Sequence, residues 1–397
     1  MRAAWALAAV AAMSCKHERE VAMPADAASL AAASNAFGFE LWARLGRSGN
    51  LAISPFSVTS AFAMTGTGAS GTTAAQIRTV FHFATQPGPA WGQLAAALEA
   101  PSRPNTLRIA NRLFGARGFA LRGAFVDGLA AGYDAPFEQL DVAQPAAARA
   151  AINRWVEERT EHHIRELMPE GSITARTRLI VVDAIYFHGE WQTRFRPELT
   201  SDAAFHPTAT ASKLVKTMNG AAERYAHVDG VSLVELPYKG GATVMVIALP
   251  DRVDGLAALE AGLDARTFAR WLAAIQPAHA VVALPRFELA ARAIDLVPAL
   301  RALGMPDAFD PDKADFSAIA ELEPSQRLFV SAVAHAAYVE VDERGTEAAA
   351  ATGASVEIDT ARPDPIPRVI CDHPFAFFIV DQPSGLVLFM GHVTDPS

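Results

Sequence analysis

His162 and His163 stand side by side in 146-AAARAAINRWVEERTEHHIREL-167, imidazoles of the kind that ligate metals. The stretch reads as one long amphipathic helix with Ile152, Trp155, Val156 and Ile164 on its apolar side. Adjacent helical residues point to different sides, so the two histidines do not converge on one ion and read as solvated. The glycine-rich 66-GTGASG-71 superficially resembles a phosphate loop, yet it closes a helix and no lysine follows it. The chain has no GxSxG elbow, no SxxK, no HExxH and no CxxC. Neither an enzyme nor a metal or cofactor site is expected.

The chemistry that remains lies in 341-VDERGTEAAAATGASVEIDTARPDPIPR-368, which lacks any aromatic side chain. Local propensity of Glu347 and Ala348–Ala351 suggests a short exposed helix or loop. Sorted by alternate residues, however, Thr346, Ala348, Ala350, Thr352, Ala354, Val356 and Ile358 form an uncharged set. Glu347, Ala349, Ala351, Gly353, Ser355, Glu357 and Asp359 carry every charge. That split suits a half-buried strand. The prolines at 363, 365 and 367 cannot continue a central strand and suit an exposed rim. The segment therefore describes a strand able to join a sheet but tethered outside it.

Several elements must carry this segment. Residues 29–48 have helical spacing, Pro55 starts a helix after a short strand, and 107-LRIANRLFGARG-118 alternates as a strand. The run 177-TRLIVVDAIYFHGEW-191 is apolar enough to be buried on both faces. Two strands flank Lys239-Gly240-Gly241, 279-HAVVALPRFEL-289 reads as another, and 296-LVPALRALGM-305 as a helix. The chain closes with two strands around Gln382–Gly385. Helices crowd the first half and strands the second, giving an α+β class in one interwoven domain over 29–397.

The 397 residues are 51% hydrophobic with net charge −9, enough for a large core. No basic stripe interleaved with aromatics appears, so neither nucleic acid nor a heparin-like polyanion is an expected partner. No apolar run reaches the roughly 20 residues of a membrane span. Residues 1–15, with Arg2, an apolar run and Ser14-Cys15, read as an export signal. A small residue before Cys15 resembles a bacterial lipoprotein site, at which Cys15 would be lipidated and attach the protein to a membrane. Ala12 departs from the usual leucine of that pattern, and an ordinary signal peptide is the alternative. Residues 16–28 read as a solvated tether. Either leader places the protein in the extracellular space or cell envelope. Cys371 is the only other cysteine.

345-GTEAAAAT-352 resembles the hinge of the serpins, the serine protease inhibitor family. NLAISPFSVTSAFAM, VVDAIYFHGEW, VELPYKG, PRFEL, LGMPDAFDPDKADFS and HPFAFFI…LFMGHV resemble family motifs in the family's order. With the lipoprotein-like leader, the resemblance is to a bacterial-type serpin. It implies three β-sheets, about eight or nine helices and an exposed reactive-centre loop at about 343–372. It also implies a monomer acting as suicide substrate, whose cleaved loop inserts into the central sheet. The hinge would comprise Glu343, Gly345, Thr346, Glu347, Ala348, Ala349, Ala350, Ala351 and Thr352. Ser54, Ser57, Asp183 and His335 match the family's sheet-opening cluster, with Trp191 at the top of the sheet. Asp183 departs from the family's asparagine, and an ionised carboxylate there would favour a protonated His335. Counting from the hinge puts the scissile bond at Asp359-Thr360, suited to an Asp-directed serine or cysteine protease of caspase or granzyme-like type. Cleavage at Arg362 by a trypsin-like protease is the alternative, as is a non-inhibitory carrier, chaperone or storage role.

Overall fold

The apolar run at 177–191 forms the axis of the central sheet. The computed structural model describes residues 23–46, 48–133, 137–289, 293–323, 326–346 and 365–396. In order come α1 (Ala27–Trp42), β1 (Leu51–Ile53), α2 (Pro55–Thr65), α3 (Gly71–Val80), α4 (Gly88–Leu98), β2 (Thr106–Ala116) and β3 (Ala120–Leu121). Next are α5 (Gly123–Tyr133), β4 (Glu138–Leu140), α6 (Pro145–Arg159), β5 (Leu179–Glu190), β6 (Ser201–Thr208), β7 (Ala211–Val228), β8 (Val231–Pro237) and β9 (Thr243–Pro250). Then follow α7 (Leu256–Ala261), α8 (Ala265–Ala274), β10 (Gln276–Pro285), β11 (Phe287–Leu289), β12 (Ile294–Asp295) and α9 (Val297–Leu303). The last are β13 (Ala320–Glu321), β14 (Val330–Val341), β15 (Gly345–Thr346), β16 (Arg368–Ile370), β17 (Phe375–Asp381) and β18 (Leu386–Val393).

Among the described residues these nine α-helices surround three sheets. The central sheet has the order β11-β14-β5-β2-β4, with β12 beside β14 and β15 beside β5. A second sheet runs β1-β18-β17-β9-β8-β7-β10-β16 with β6 on β7, and β13 pairs β3 in a small third. Alternate residues of β5 serve two cores. Leu179, Val181, Ile185 and Phe187 face the main one, whereas Ile180, Val182, Ala184 and Tyr186 pack with Ile152 and Val156 of α6. This explains why β5 is apolar throughout rather than alternating.

The α+β class and the three-sheet architecture agree with the sequence reading. Some expectations change. The helix expected over 146–167 stops at Arg159, because Glu161 and His162 adopt left-handed φ values of 50° and 68°. His163 is consequently half-buried rather than fully solvated: its ring stacks on Tyr186 with centroids 4.2 Å apart. The single strand expected at 279–289 is two, since Arg286 breaks β10 from β11 and the two enter different sheets. The first helix begins at Ala27, inside the expected tether, and ends at Trp42. The far end of the expected loop is ordered as β16, which pairs in parallel with β10.

Candidate functional site: the hinge and the opening of the central sheet

β14 and β5 run parallel, in register from Val330–Leu179 to Tyr338–Tyr186. Above Tyr338 they part. After Val341 the chain reverses in a tight turn, where Asp342 N donates to Gly345 O (2.9 Å) and Arg344 N to Asp342 Oδ1 (2.8 Å). It then descends antiparallel to β5, with Gly345 opposite Glu190 and Thr346 opposite Gly189. The top of the sheet thus holds the first two residues of an additional strand between two parallel ones. Gly345 is required there: its φ is 143°, and a Cβ would lie 2.0 Å from Gly189 O.

Two side chains secure this turn. Trp191 stacks on Tyr238 (4.5 Å) and donates from Nε1 to Asp342 O (2.9 Å) and from its amide to Arg344 O (2.8 Å). Glu343 is buried, and its Oε1 accepts from Arg286 Nε (2.8 Å), Arg286 Nη2 (2.6 Å) and the Thr200 hydroxyl. Burial opposes ionisation of Glu343, but the Arg286 and Thr200 hydrogen bonds outweigh it and hold the carboxyl below its ordinary 4.5. An ionised Glu343 therefore stabilises the fold above that value, and the gain is lost as acid protonates it. The melting temperature should fall below pH 4.5 more steeply in the parent than in Glu343→Gln; parallel profiles would refute this.

Lower down, where β5 and β14 are paired, Asp183 on β5 lies opposite both His335 on β14 and Asn111 on β2. Ser54 caps α2 by accepting from Ser57 N (3.0 Å), and its own amide donates to His335 Nε2 (3.1 Å). His335 Nδ1 is 2.5 Å from Asp183 Oδ1. Since Nε2 must offer a lone pair to the Ser54 amide, the ring proton sits on Nδ1 and is donated to Asp183. The expected doubly protonated His335 does not fit, because a second proton would point into the Ser54 N–H. Ser57 Oγ donates to Asn111 Oδ1 (3.0 Å) and Asn111 Nδ2 returns a bond to Ser57 O (2.8 Å).

Ser54, Ser57, Asp183 and His335 are thus brought together, while Trp191 lies with Glu343 at the sheet top. Asn111 and Arg286 belong to these clusters and were missed from sequence. Asn111 breaks the apolar alternation of Leu107, Ile109 and Leu113, a signal that could have revealed it. Asp183 Oδ2 is buried and has no hydrogen-bond partner among the described residues. A buried carboxyl oxygen left without a hydrogen bond is costly, so Asp183→Asn, which keeps the acceptor for His335, should raise the melting temperature by roughly 2 °C or more. A lowered one would contradict this reading of the cluster.

Glu347, Ala348, Ala349, Ala350, Ala351, Thr352, Asp359, Thr360, Arg362 and Cys15 lie outside the described residues. Cys371 is buried, and that burial, aided by Asp372, pushes its thiol pKa well up and leaves it unreactive. Among the described residues no helix is long and apolar enough to cross a membrane.

At the top of the central sheet, two residues of an antiparallel strand thus pair with β5 where β14 has parted from it, above a buried polar cluster. The family model described as Serpin (serine protease inhibitor) matches residues 32–396, and the chain belongs to that family. It is 37% identical over 381 residues to leukocyte elastase inhibitor of Bos taurus, covering 92% of this chain and 99% of that relative. Serpin B6 of Pongo abelii is 37% identical over 380 residues, covering 92% of this chain and 99% of the relative. Uncleaved ovalbumin has a similar fold, with TM-score 0.82 and 26% identity over 92% of this chain and all of that structure. The chain is accordingly not an enzyme. These sequence relatives are mammalian and lend no support to the bacterial type that the leader suggests.

Proposed function

We propose that the chain inhibits a target protease as a suicide substrate: the protease cuts the loop, and the freed segment enters the β14–β5 gap while still acylated to it. The observation that carries this reading is the pairing of Gly345 and Thr346 with β5. Continued downward, that register sets Ala348, Ala350, Thr352, Ala354 and Val356 opposite Phe187, Ile185, Asp183, Val181 and Leu179. The uncharged set would then face the main core, as its composition requires. Small side chains enter such a gap without forcing a cavity. The inhibitors named among the relatives support the same activity.

The cut is proposed at Asp359-Thr360, by an Asp-directed serine or cysteine protease, with Arg362 as the alternative site. Residues 1–15 are proposed as an export signal with Cys15 lipidated, placing a monomer in the extracellular space or cell envelope. A protease panel, denaturing gels and mass spectrometry of the cut test the proposal. A complex that survives denaturation, with cleavage after Asp359, is expected. Cleavage by every protease with no stable complex would leave the non-inhibitory role.

A further inference from the structure

At the lower end of the central sheet, four arginines from three separate stretches of the chain converge. Arg117 follows β2, Arg176 and Arg178 precede β5, and Arg327 precedes β14; with Phe119 and Phe329 they line a cleft of about 440 Å3. Among the described residues no aspartate or glutamate lines it. Arg178 Nη1 is held by the neutral carbonyls of Ala175 (3.1 Å) and Thr177 (2.9 Å). Among the described residues Arg117, Arg176 and Arg178 have no carboxylate partner. The sequence shows no basic stripe because the four side chains meet only in the fold. A cleft of this charge, with aromatic walls and three arginines that hold no carboxylate among the described residues, is built for carboxylates or another oxyanion.

We infer that this cleft receives the acidic end of the chain's own cleaved loop, residues Glu357 and Asp359. The inference rests on the loop-insertion reading above. Gly345 and Thr346 pair with Glu190 and Gly189 in antiparallel register. The same register, followed to the foot of β5, brings Val356 opposite Leu179 and Glu357 opposite Arg178. Opposed residues of antiparallel strands share a face, so Glu357 and Arg178 would meet side by side. Asp359 arrives one step beyond, level with the turn that carries Arg176. If the cut follows Asp359, its new terminal carboxylate adds a third negative group against the four arginines. Opening the sheet releases Arg178 N from Ser331 Oγ and Leu179 N from Phe329 O, which clears the approach. The acidic finish of an otherwise small and neutral strand thereby acquires a destination.

The test is a double-substitution cycle on the full chain, intact and nicked C-terminal to Asp359, with the cut confirmed by mass spectrometry. In the nicked form, Glu357→Gln and Arg178→Gln should each lower the melting temperature by roughly 2–4 °C, and their combination by no more than either alone. The intact form should not respond to Glu357→Gln, and the coupling should shrink in 1 M salt. Arg117→Gln, whose side chain holds no hydrogen bond among the described residues, gives the same readout if Arg178→Gln disturbs its turn. Nicked protein that gains stability but shows additive, uncoupled effects would overturn the arginine cleft while leaving insertion standing. No gain on nicking would overturn both.

Discussion

Thr346→Arg should turn the protein from an inhibitor of its target protease into a substrate. Thr346 is the second residue of β15, opposite Gly189, and the next positions opposite the entering strand on that face are the buried Phe187 and Ile185. An arginine at 346 would hold its guanidinium on the core face of β5, directly above the positions opposite Phe187 and Ile185 that the inserting Ala348 and Ala350 must reach. Carrying a charge unpaired into a protein interior costs several kcal/mol. Each ~1.4 kcal/mol added to the insertion barrier slows it about tenfold, and a slower insertion lets the acyl-enzyme hydrolyse first. The moles of inhibitor consumed per mole of protease should rise at least tenfold, with the stable complex replaced by cleaved product. An undiminished complex on a denaturing gel would show that a charge at this residue does not impede insertion.

Glu343→Lys should release the hinge before any protease acts. The wild-type carboxylate, buried at 5% side-chain exposure, accepts two bonds from Arg286, which is 46% exposed. The substitution sets two cations against each other and removes the Thr200 bond. Breaking a fully buried pair costs about 3–5 kcal/mol, and solvent at Arg286 reduces this to about 2–3 kcal/mol. With the turn at 342–345 undone, β15 leaves and the upper edges of β5 and β14 lie open. Open edges recruit strands from other molecules. The expected result is a melting temperature lowered by about 5 °C or more and concentration-dependent oligomers on size exclusion. A monomer that melts like wild type would refute the role assigned to Glu343.

Much of this arrangement was legible in the residues. The unbroken apolar run of β5 announced a strand buried on both faces. Ser54 and Pro55 marked the start of α2 through cap chemistry. Other features left no local trace. Glu161 and His162 end α6 in left-handed conformations without the glycine that normally signals them. β7 spans 18 residues but shows solvent much of its length, so its polar sequence carries weak periodicity. Arg286 reads as an exposed cation in PRFEL, and only the fold sets it against Glu343. The four-arginine cleft is the extreme case, because its members come from the ends of three strands and share no sequence pattern.

The loop-insertion account is tested most directly by the thermal stability of the intact chain against the same chain nicked once in the loop. About ten inserted residues, each adding net hydrogen bonds of roughly 0.5–1.5 kcal/mol, would contribute as much as a typical domain's whole stability. The intact fold would then be a kinetically trapped state. The account predicts that the nicked protein melts far above the intact one. Equal melting temperatures, with the cut segment still open to further proteolysis, would contradict it.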